Sequence, residues 1–341
     1  MMKSACAYCR AVISPDKDEN RRNTPCIAFL TKSDGKYADK TFAVIYSTVT
    51  TTEEFSLKLH DLTVIRPLLE KHGFHFSKSM GQNFLIQEWV PQRILQAANI
   101  SKDCGVLEIG PGIGVLTQEL CQAASKVLSV ELDRALLPVL NETLSEYDNV
   151  EIVNGDIMKI PLSQMLDEKL CGLRLTACAN LPYNITTPVL RLLLELERFE
   201  QITVMIQKEV AQRICARPGT PEYGAFTVFA EYYSSPSICF DVPPDCFYPR
   251  PKVTSTVITL HKKVRNIPET DKEFLFSITR AAFSQRRKTL VNGLSSLFAG
   301  KLSKEQLQEA ITGCGFPPMV RGETLSLDDF MRLSDALKTM Q

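Results

Sequence analysis

Short apolar runs alternate with amphipathic stretches in the middle of this chain, and this pattern most constrains how the chain folds. The runs read VLEIG, VLSVE, VEIVNGD, LTACANLPY and ITVMIQ. Continuous apolar runs of this length are typical of strands that are buried on both faces, as in a parallel sheet covered by helices. The pattern therefore predicts an α/β domain with a mostly parallel sheet.

The remaining sequence divides around this domain. At 341 residues the chain exceeds the usual size of one domain, so about two domains are expected. Residues 1–64 show no sustained period and are interpreted as a poorly specified N-terminal extension. Residues 65–265 hold the α/β pattern. Residues 266–341 lack strand-like runs and predict a small all-helical C-terminal domain, with helix-start signals at Ser303 and Ser326.

The segment VLEIGPGIGVLT indicates a strand, a glycine turn and the start of a helix, and α/β sheets bind ligands at such strand ends. A dinucleotide site requires G-x-G-x-x-G, but after Gly110 and Gly112 the third glycine position holds Val115. A NAD-dependent oxidoreductase is therefore disfavoured. Glu108 precedes the turn, where a carboxylate would repel a diphosphate but suits a cationic ligand such as S-adenosylmethionine.

Acidic residues also end the next two apolar runs. Glu131 ends VLSVE, where its carboxylate could accept hydrogen bonds from both hydroxyls of a ribose. Asp156 ends NGD, where it could accept from an adenine amino group while Ile157 packs on the ring. Each acid alone fits an ordinary surface residue, but three successive strand ends with acids favour a methyltransferase sheet.

The stretch NLPYNI places an amide, a proline turn and an aromatic ring in a row. The amide of Asn180 has no pKa near neutrality and is no general base, but its carbonyl oxygen can accept a hydrogen bond from an exocyclic amino group. The alternative interpretation is a polar turn that ends a buried strand.

Several motifs together resemble one known family. They read, along the chain, KSMGQNFL, LEIGPGIGVLT, VELD, NGDIM, NLPYNI, QKEVAQRICARPGTPEYGAFTV, FYPRPKVTS and AFSQRRKTL. From about Leu68 to the C terminus the chain resembles the small-subunit ribosomal RNA adenine dimethyltransferases of the kasugamycin-resistance type. Residues 1–64 have no counterpart, and Met80 stands where leucine is more usual.

The resemblance implies a class I S-adenosylmethionine-dependent methyltransferase, Rossmann-like, with a mostly parallel seven-stranded sheet and a helical C-terminal domain that binds RNA or the ribosome. It implies N6,N6-dimethylation of two adjacent adenosines in small-subunit ribosomal RNA and a role in subunit biogenesis. With the strand-end residues, the predicted donor site comprises Asn83, Leu85, Glu108, Gly110, Gly112, Glu131, Asp156, Ile157 and Asn180.

For the target adenine, the resemblance implies roles for Asn180, Tyr183 and Phe247. The nitrogen N6 is a poor nucleophile because its lone pair is delocalised into the ring. Acceptors on Asn180 and on the Leu181 backbone carbonyl could orient both N–H bonds and localise that pair toward the methyl group. Tyr183 and Phe247 would then stack on the two faces of the base.

Two basic segments predict contacts with nucleic acid. Lys plus Arg equals Asp plus Glu, 39 each, so the whole chain does not indicate a polyanionic partner. A solvated helix face explains either segment alone, but both beside a base-binding motif favour RNA. The predicted RNA-binding residues are Arg250, Lys252, Arg280, Arg286, Arg287 and Lys288. The expected partner is small-subunit ribosomal RNA within a pre-assembled subunit, bound by a monomer.

Location and metal content follow from what the sequence lacks. No stretch approaches the ~20 apolar residues of a membrane helix, and the first residues do not match a signal or transit peptide. A cytoplasmic protein is expected. The 11 cysteines are scattered, as in reduced proteins, and Cys6 and Cys9 form only a lone CxxC, so no metal is predicted.

Two alternatives stay open. A large-subunit adenine methylase of the macrolide-resistance type would share the catalytic core, but the QKEVAQRI to YGAFTV segment and AFSQRRKTL resemble the small-subunit type. A non-catalytic RNA- or DNA-binding assembly or transcription factor could keep the fold, although the intact donor residues Glu131, Asp156 and Asn180 argue against it.

Overall fold

The computed structural model describes residues 57–77, 81–265 and 268–340, without the side chains of residues 269 and 270. All of them belong to one compact unit, Ser56–Gln341. Cys6, Cys9 and Met80 lie outside the described residues.

A seven-stranded sheet forms the centre of this unit, beside a separate two-stranded ribbon. The strands are β1 Phe84–Leu85, β2 Cys104–Ile109, β3 Lys126–Glu131, β4 Val150–Asn154, β5 Arg174–Asn180, β6 Gln201–Gln207, β7 Ser234–Val242, β8 Phe247–Tyr248 and β9 Ser255–Lys262. The order across the sheet is β4-β3-β2-β5-β6-β9-β7. Strands β2 to β6 run parallel, whereas β9 is antiparallel to β6 and to β7. The predicted fold class is confirmed.

The five apolar runs of the sequence form β2 to β6, as predicted. Strands β2, β3, β5 and β6 are mostly buried, as expected for a sheet with helices on both faces, whereas β4, at the sheet edge, is half-buried. The strand β7 gave no such run, because serines interrupt its apolar residues and half of Ile238 is exposed. Its register shifts between Ile238 and Phe240, which further breaks the alternation.

The ribbon joins β1 to β8 in antiparallel register. Phe84 lies opposite Tyr248, and Leu85 lies opposite Phe247. This pairing brings residues that are more than 160 positions apart along the chain to within one strand spacing of each other, ~5 Å.

Helices surround the sheet and form the C-terminal region. Their bounds are α1 Leu62–Lys71, α2 Trp89–Ala98, α3 Val115–Ala123, α4 Leu137–Thr143, α5 Leu162–Lys169, α6 Thr186–Glu195, α7 Lys208–Ile214, α8 Ala225–Tyr233, α9 Glu269–Ser284, α10 Leu290–Leu294, α11 Lys304–Gly313 and α12 Leu327–Lys338. Ser303 and Ser326 form capping boxes at the starts of α11 and α12, as predicted. Within the described ranges, no helix is both long and apolar enough to cross a membrane.

The predicted start of the catalytic domain, residue 65, lies within α1, and this boundary stays a prediction. Asp61 caps α1, and Leu59 and Ile65 are buried in one apolar cluster with Phe84. The apolar packing of α1 therefore extends to Leu57, before the predicted boundary.

The predicted boundary at residue 266 lies between the end of β9 and the start of α9. The apolar core continues across it, because Leu275 and Phe276 of α9 share a buried cluster with Tyr233 and Leu260. The division into a catalytic and a helical domain stays a prediction.

Candidate active site

A cavity of about 340 Å³ lies at the carboxyl ends of β2, β3, β4 and β5. The residues predicted to bind the donor all line it, as do Leu181 and Tyr183. In full, these are Asn83, Leu85, Glu108, Gly110, Gly112, Glu131, Asp156, Ile157, Asn180, Leu181 and Tyr183. The geometry thus brings together side chains from four strand ends and from β1.

The glycine turn after β2 depends on a backbone that most residues avoid. Gly110 and Gly112 have φ angles of 69° and 63°. The Gly110 N–H donates to the Val130 carbonyl at 2.9 Å, which ties the turn to β3. A Cβ at Gly112 would come within 3.1 Å of the Phe84 ring. The cavity wall therefore requires glycine here for conformation and for space.

Glu131 lies at the end of β3 with 6% of its surface exposed. Its carboxylate accepts from the Asp133 N–H at 2.8 Å and from the Gly112 N–H at 3.4 Å. Burial raises the pKa of Glu131, and these backbone bonds oppose that shift. The carboxylate is held in one place on the cavity wall, as a receptor for a ribose diol requires.

Glu108 is more deeply buried than the sequence indicates. Only 1% of it is exposed, and one carboxyl oxygen accepts from Ser129 Oγ at 2.6 Å and Thr117 Oγ1 at 2.8 Å. Burial raises the pKa of Glu108 to about 7, and the negative charge of Glu131 adds to the shift. A bound cation would favour its ionised form. Its contact with the donor stays a prediction.

Asp156 and Ile157 follow β4 and also line the cavity. The Met158 N–H donates to Asp156 Oδ1 at 3.0 Å, and Lys159 Nζ lies 3.3 Å from Oδ2. Ile157 is 5% exposed and belongs to the main apolar cluster. The acid is therefore oriented by its own turn beside an apolar side chain, and its contact with adenine stays a prediction.

Asn180 ends β5, and its amide has a defined orientation. Asn180 Nδ2 donates to the Asn83 backbone carbonyl at 3.3 Å. A carbonyl only accepts, so the amide nitrogen must lie on this side and Oδ1 on the other. No donor among the described residues contacts Oδ1. Asn83 is itself fixed by its bond from Nδ2 to the Gly81 carbonyl at 3.0 Å. The site thus presents the carbonyl oxygen of Asn180 as a free acceptor.

Tyr183 lies in the turn after β5, where its hydroxyl is 2.8 Å from Ser255 Oγ. Burial raises the pKa of Tyr183, so the phenol is neutral at physiological pH. This contact joins the turn to the first residue of β9, and it positions the Tyr183 ring at the cavity.

Phe247 is not among the residues that line the cavity, and its role as a stacking partner stays a prediction. It is 3% exposed and packs in an apolar cluster with Leu85, Val90 and Cys246. Successive side chains of a strand point to opposite faces, so β8 directs Phe247 inward and leaves Tyr248 half-buried. The Phe247 ring is therefore covered by apolar neighbours in this structure.

Sequence reasoning missed Gln82, which also lines the cavity. Gln82 Nε2 donates to Asp133 Oδ2 at 2.7 Å, and Gln82 Oε1 accepts from the Ser77 N–H at 3.0 Å. The residue ties the segment before β1 to the end of β3. Its place between Gly81 and Asn83 in the GQNF motif was the available signal.

The predicted RNA-binding cations differ in their surroundings. Five of them are exposed and have no ion-pair partner among the described residues: Arg250, Lys252, Arg280, Arg287 and Lys288. Arg286 is different, because its Nη1 donates to the Pro221 carbonyl at 2.7 Å and its Nε lies 3.3 Å from Glu323 Oε2. Its guanidinium is committed to contacts within the protein. Among the described residues, no group of three His, Cys, Asp or Glu side chains could hold a metal.

Comparison with known proteins agrees with this geometry. The family model described as ribosomal RNA adenine dimethylase matches residues 73–334. A protein of Lachnoclostridium phytofermentans named ribosomal RNA small subunit methyltransferase A is 47% identical over 278 residues, which cover 79% of this chain and 94% of that protein.

Two solved structures are similar. A dimethyladenosine transferase from Plasmodium falciparum has a TM-score of 0.64 at 24% identity, covering 75% of this chain and 98% of that one. The 23S rRNA methyltransferase ErmE has a TM-score of 0.58 at 26% identity, covering 75% of this chain and all of that one. The first likeness concerns the fold alone.

Proposed function

This chain belongs to the ribosomal RNA adenine dimethylase family, and from that premise we propose that it dimethylates N6 of two adjacent adenosines in small-subunit ribosomal RNA. The methyl donor is S-adenosylmethionine. The observation that carries the proposal is the amide of Asn180, which has its nitrogen bonded to the Asn83 carbonyl and its oxygen left as an acceptor in the cavity. An acceptor of this kind suits an exocyclic amino group.

The chain contributes positioning and electrostatics. Asn180 Oδ1 and the Leu181 carbonyl accept from the two N–H bonds of N6, which directs the nitrogen lone pair away from the ring. Tyr183 stacks on one face of the base. S-adenosylmethionine supplies the methyl group when bound, and the departing thioether is neutral, so no general base has to act before transfer.

A neutral amide also suits the second methyl transfer. A monomethylated nitrogen must turn its methyl group aside while keeping one N–H for an acceptor. An aspartate at position 180 would then leave a buried charged oxygen without a donor, which is costly, whereas the amide of Asn180 bears no charge. N6,N6-dimethyladenosine is therefore the end product.

Sequence identity supports the small subunit, and not the large one, as the source of the substrate RNA. The relative named for the small subunit is 47% identical, compared with 26% for the 23S rRNA methyltransferase. Action in the cytoplasm, as a monomer and on a partly assembled subunit belongs to the same proposal, and five unpaired exposed cations support contact with a large polyanion.

The test is methyl transfer to small ribosomal subunits that lack the modification. The protein is incubated with isotope-labelled donor and these subunits, and the RNA is digested and analysed by mass spectrometry. Label in two adjacent adenosines as N6,N6-dimethyladenosine is expected. Label in large-subunit RNA only, or in no adenosine, would refute the proposal. Naked RNA in parallel reactions distinguishes free RNA from the subunit as substrate.

A further inference from the structure

We propose that Arg66, Tyr248, Arg250 and Lys252 form a second nucleotide-binding surface, here called the β8 surface. It takes the nucleotide next to the target adenosine in single-stranded RNA. This inference rests on the proposed function and names a subsite of the same RNA.

A cation and an aromatic ring lie together at this surface. The Arg66 guanidinium carbon is 5.3 Å from the centre of the Tyr248 ring. Arg66 is exposed, and no acidic side chain pairs with it among the described residues. The Phe76 ring contacts Tyr248 edge-on at 5.4 Å and thereby limits its movement. The surface thus presents an exposed guanidinium held in place by aromatic contacts.

The β8 surface lies directly beside the cavity. Tyr248 is opposite Phe84 in the β1–β8 ribbon, and Phe84 lines the cavity. Phe76 contacts both of them, with its ring 5.2 Å from the ring of Phe84. Tyr248 therefore lies one strand spacing, ~5 Å, from Phe84 of the cavity wall, so a nucleotide bound there would be a near neighbour of one bound in the cavity.

Arg250 and Lys252 lie on the loop between β8 and β9, and both ends of this loop contact residues that line the cavity. The loop begins at Tyr248, beside Phe84, and ends at Ser255, whose hydroxyl contacts Tyr183 at 2.8 Å. The carbonyl of Thr254 accepts from the Lys208 N–H at 3.0 Å. Two unpaired cations are thereby held along a path from Tyr248 to Tyr183.

This combination suits a single-stranded nucleotide better than a protein partner. Unstacked bases pack on aromatic rings and on planar guanidinium groups, and adjacent cations neutralise the backbone phosphates. If a base stacks on Arg66, the planar guanidinium is required, and lysine cannot replace it because lysine has the charge without the planar group. A cation that only binds phosphate could be either residue.

The test is equilibrium binding to a short unstructured RNA with adjacent adenosines, at one salt concentration. Arg66→Ala and Tyr248→Leu are each expected to weaken binding about tenfold. Arg66→Lys should recover only part of this loss, and Tyr248→Phe should bind as the parent does. In methyl transfer, Arg66→Ala should raise KM for RNA with kcat much less changed.

Arg93→Ala is the matched control. Arg93, on α2, lies 4.1 Å from the centre of the Phe240 ring of β7, so it has the same charge and a similar ring contact, but neither residue belongs to the β1–β8 ribbon or to the loop that follows it. It should bind RNA as the parent does. Donor affinity and Tm are measured for every variant. If Tyr248→Leu lowers Tm, the Arg66 variants decide the outcome, because Arg66 is exposed and its replacement should leave the fold intact.

Equal RNA binding by Arg66→Ala and the parent overturns the β8 surface, as does full recovery by Arg66→Lys, which would leave only charge. The proposed function fails separately, when the parent transfers no methyl group to small-subunit RNA. If Arg66→Ala weakens RNA binding but the parent transfers no methyl group, the β8 surface is supported and the proposed activity is refuted.

Discussion

The cavity and the cationic surface of this protein differ in how their functional side chains are held. In the cavity, Glu131, Asp156 and Asn180 each have hydrogen-bond partners within the protein. On the surface, the exposed cations such as Arg250 and Arg287 have no ion-pair partner among the described residues. Small rigid groups are recognised by preorganised donors and acceptors, whereas a phosphate backbone requires charge at approximate positions. Single substitutions should therefore have large effects on donor binding or turnover in the cavity and small effects on RNA binding at the surface.

The largest effect on methyl transfer is expected at Asn180 in the cavity. Asn180→Ala removes the acceptor for N6 and should lower kcat by about two to three orders of magnitude, as loss of one preorganised transition-state contact does. Donor affinity should change much less, because Asn180 acts mainly on the target side. Methyl transfer rates and calorimetry with the donor measure the two quantities.

Asn184→Ala is the control for Asn180. Asn184 also lines the cavity and carries the same amide, but it is exposed. Near-normal turnover by Asn180→Ala, or an equal loss in both variants, would contradict the assigned role. Monomethyladenosine as the only product of the parent at long times would contradict the argument for a neutral amide.

A smaller effect is expected at Glu131. Glu131→Gln keeps the shape but removes the charge, so donor affinity should fall about tenfold to hundredfold, the range for charge-assisted hydrogen bonds. The free energy of unfolding should change little. The control variant is Glu151→Gln, which replaces a half-buried carboxylate of β4 that pairs with Lys169. Calorimetric titration with donor is the measurement, and unchanged affinity would remove Glu131 from the site.

Glu108 should make stability depend on pH. Its pKa is about 7 in the folded protein and 4.5 ordinarily, so between these values the folded state binds more protons than the unfolded state. The free energy of unfolding should therefore fall as pH rises from about 4.5 to about 7 and then level off. In Glu108→Gln, the decrease in the free energy of unfolding over this pH range should be smaller by roughly 1–3 kcal/mol, since one pKa unit is about 1.4 kcal/mol. Urea unfolding across this range is the measurement.

The smallest effects are expected at the neighbouring residues Arg286 and Arg287, which differ in whether the guanidinium is bonded within the protein. Arg286→Ala should lower stability by about 1 kcal/mol, discounted for partial exposure, because it breaks contacts with Pro221 and Glu323. Arg287→Ala should leave stability unchanged and lower the salt slope of RNA binding by about one unit. The same salt slope in both variants would show that internal contacts do not decide which cation binds RNA.

The meeting of Glu108, Glu131, Asp156 and Asn180 at one cavity could be predicted from the sequence because its determinants are local. Each acid follows its own strand, and parallel strands bring their carboxyl ends to one edge of the sheet. Phe247 and Arg286 could not be placed in this way. Their environments depend on Leu85 and Pro221, which lie far away along the chain and meet them only through the β1–β8 pairing and the packing of α9. The edge strand β7 was missed because serines interrupt its apolar residues.

The position of Trp89, beside the Arg93 and Phe240 pair, determines what fluorescence can report for this protein. It is the single tryptophan of the chain. Its ring lies 6.0 Å from the ring of Phe240 and 5.7 Å from the Arg93 guanidinium carbon, and it does not line the cavity. Indole emission therefore follows the separation of α2 from β7 when the protein unfolds, but it is insensitive to filling of the cavity. A tryptophan introduced in place of Tyr248 would add a second emitter at the β8 surface, where quenching by a stacked base could be followed directly.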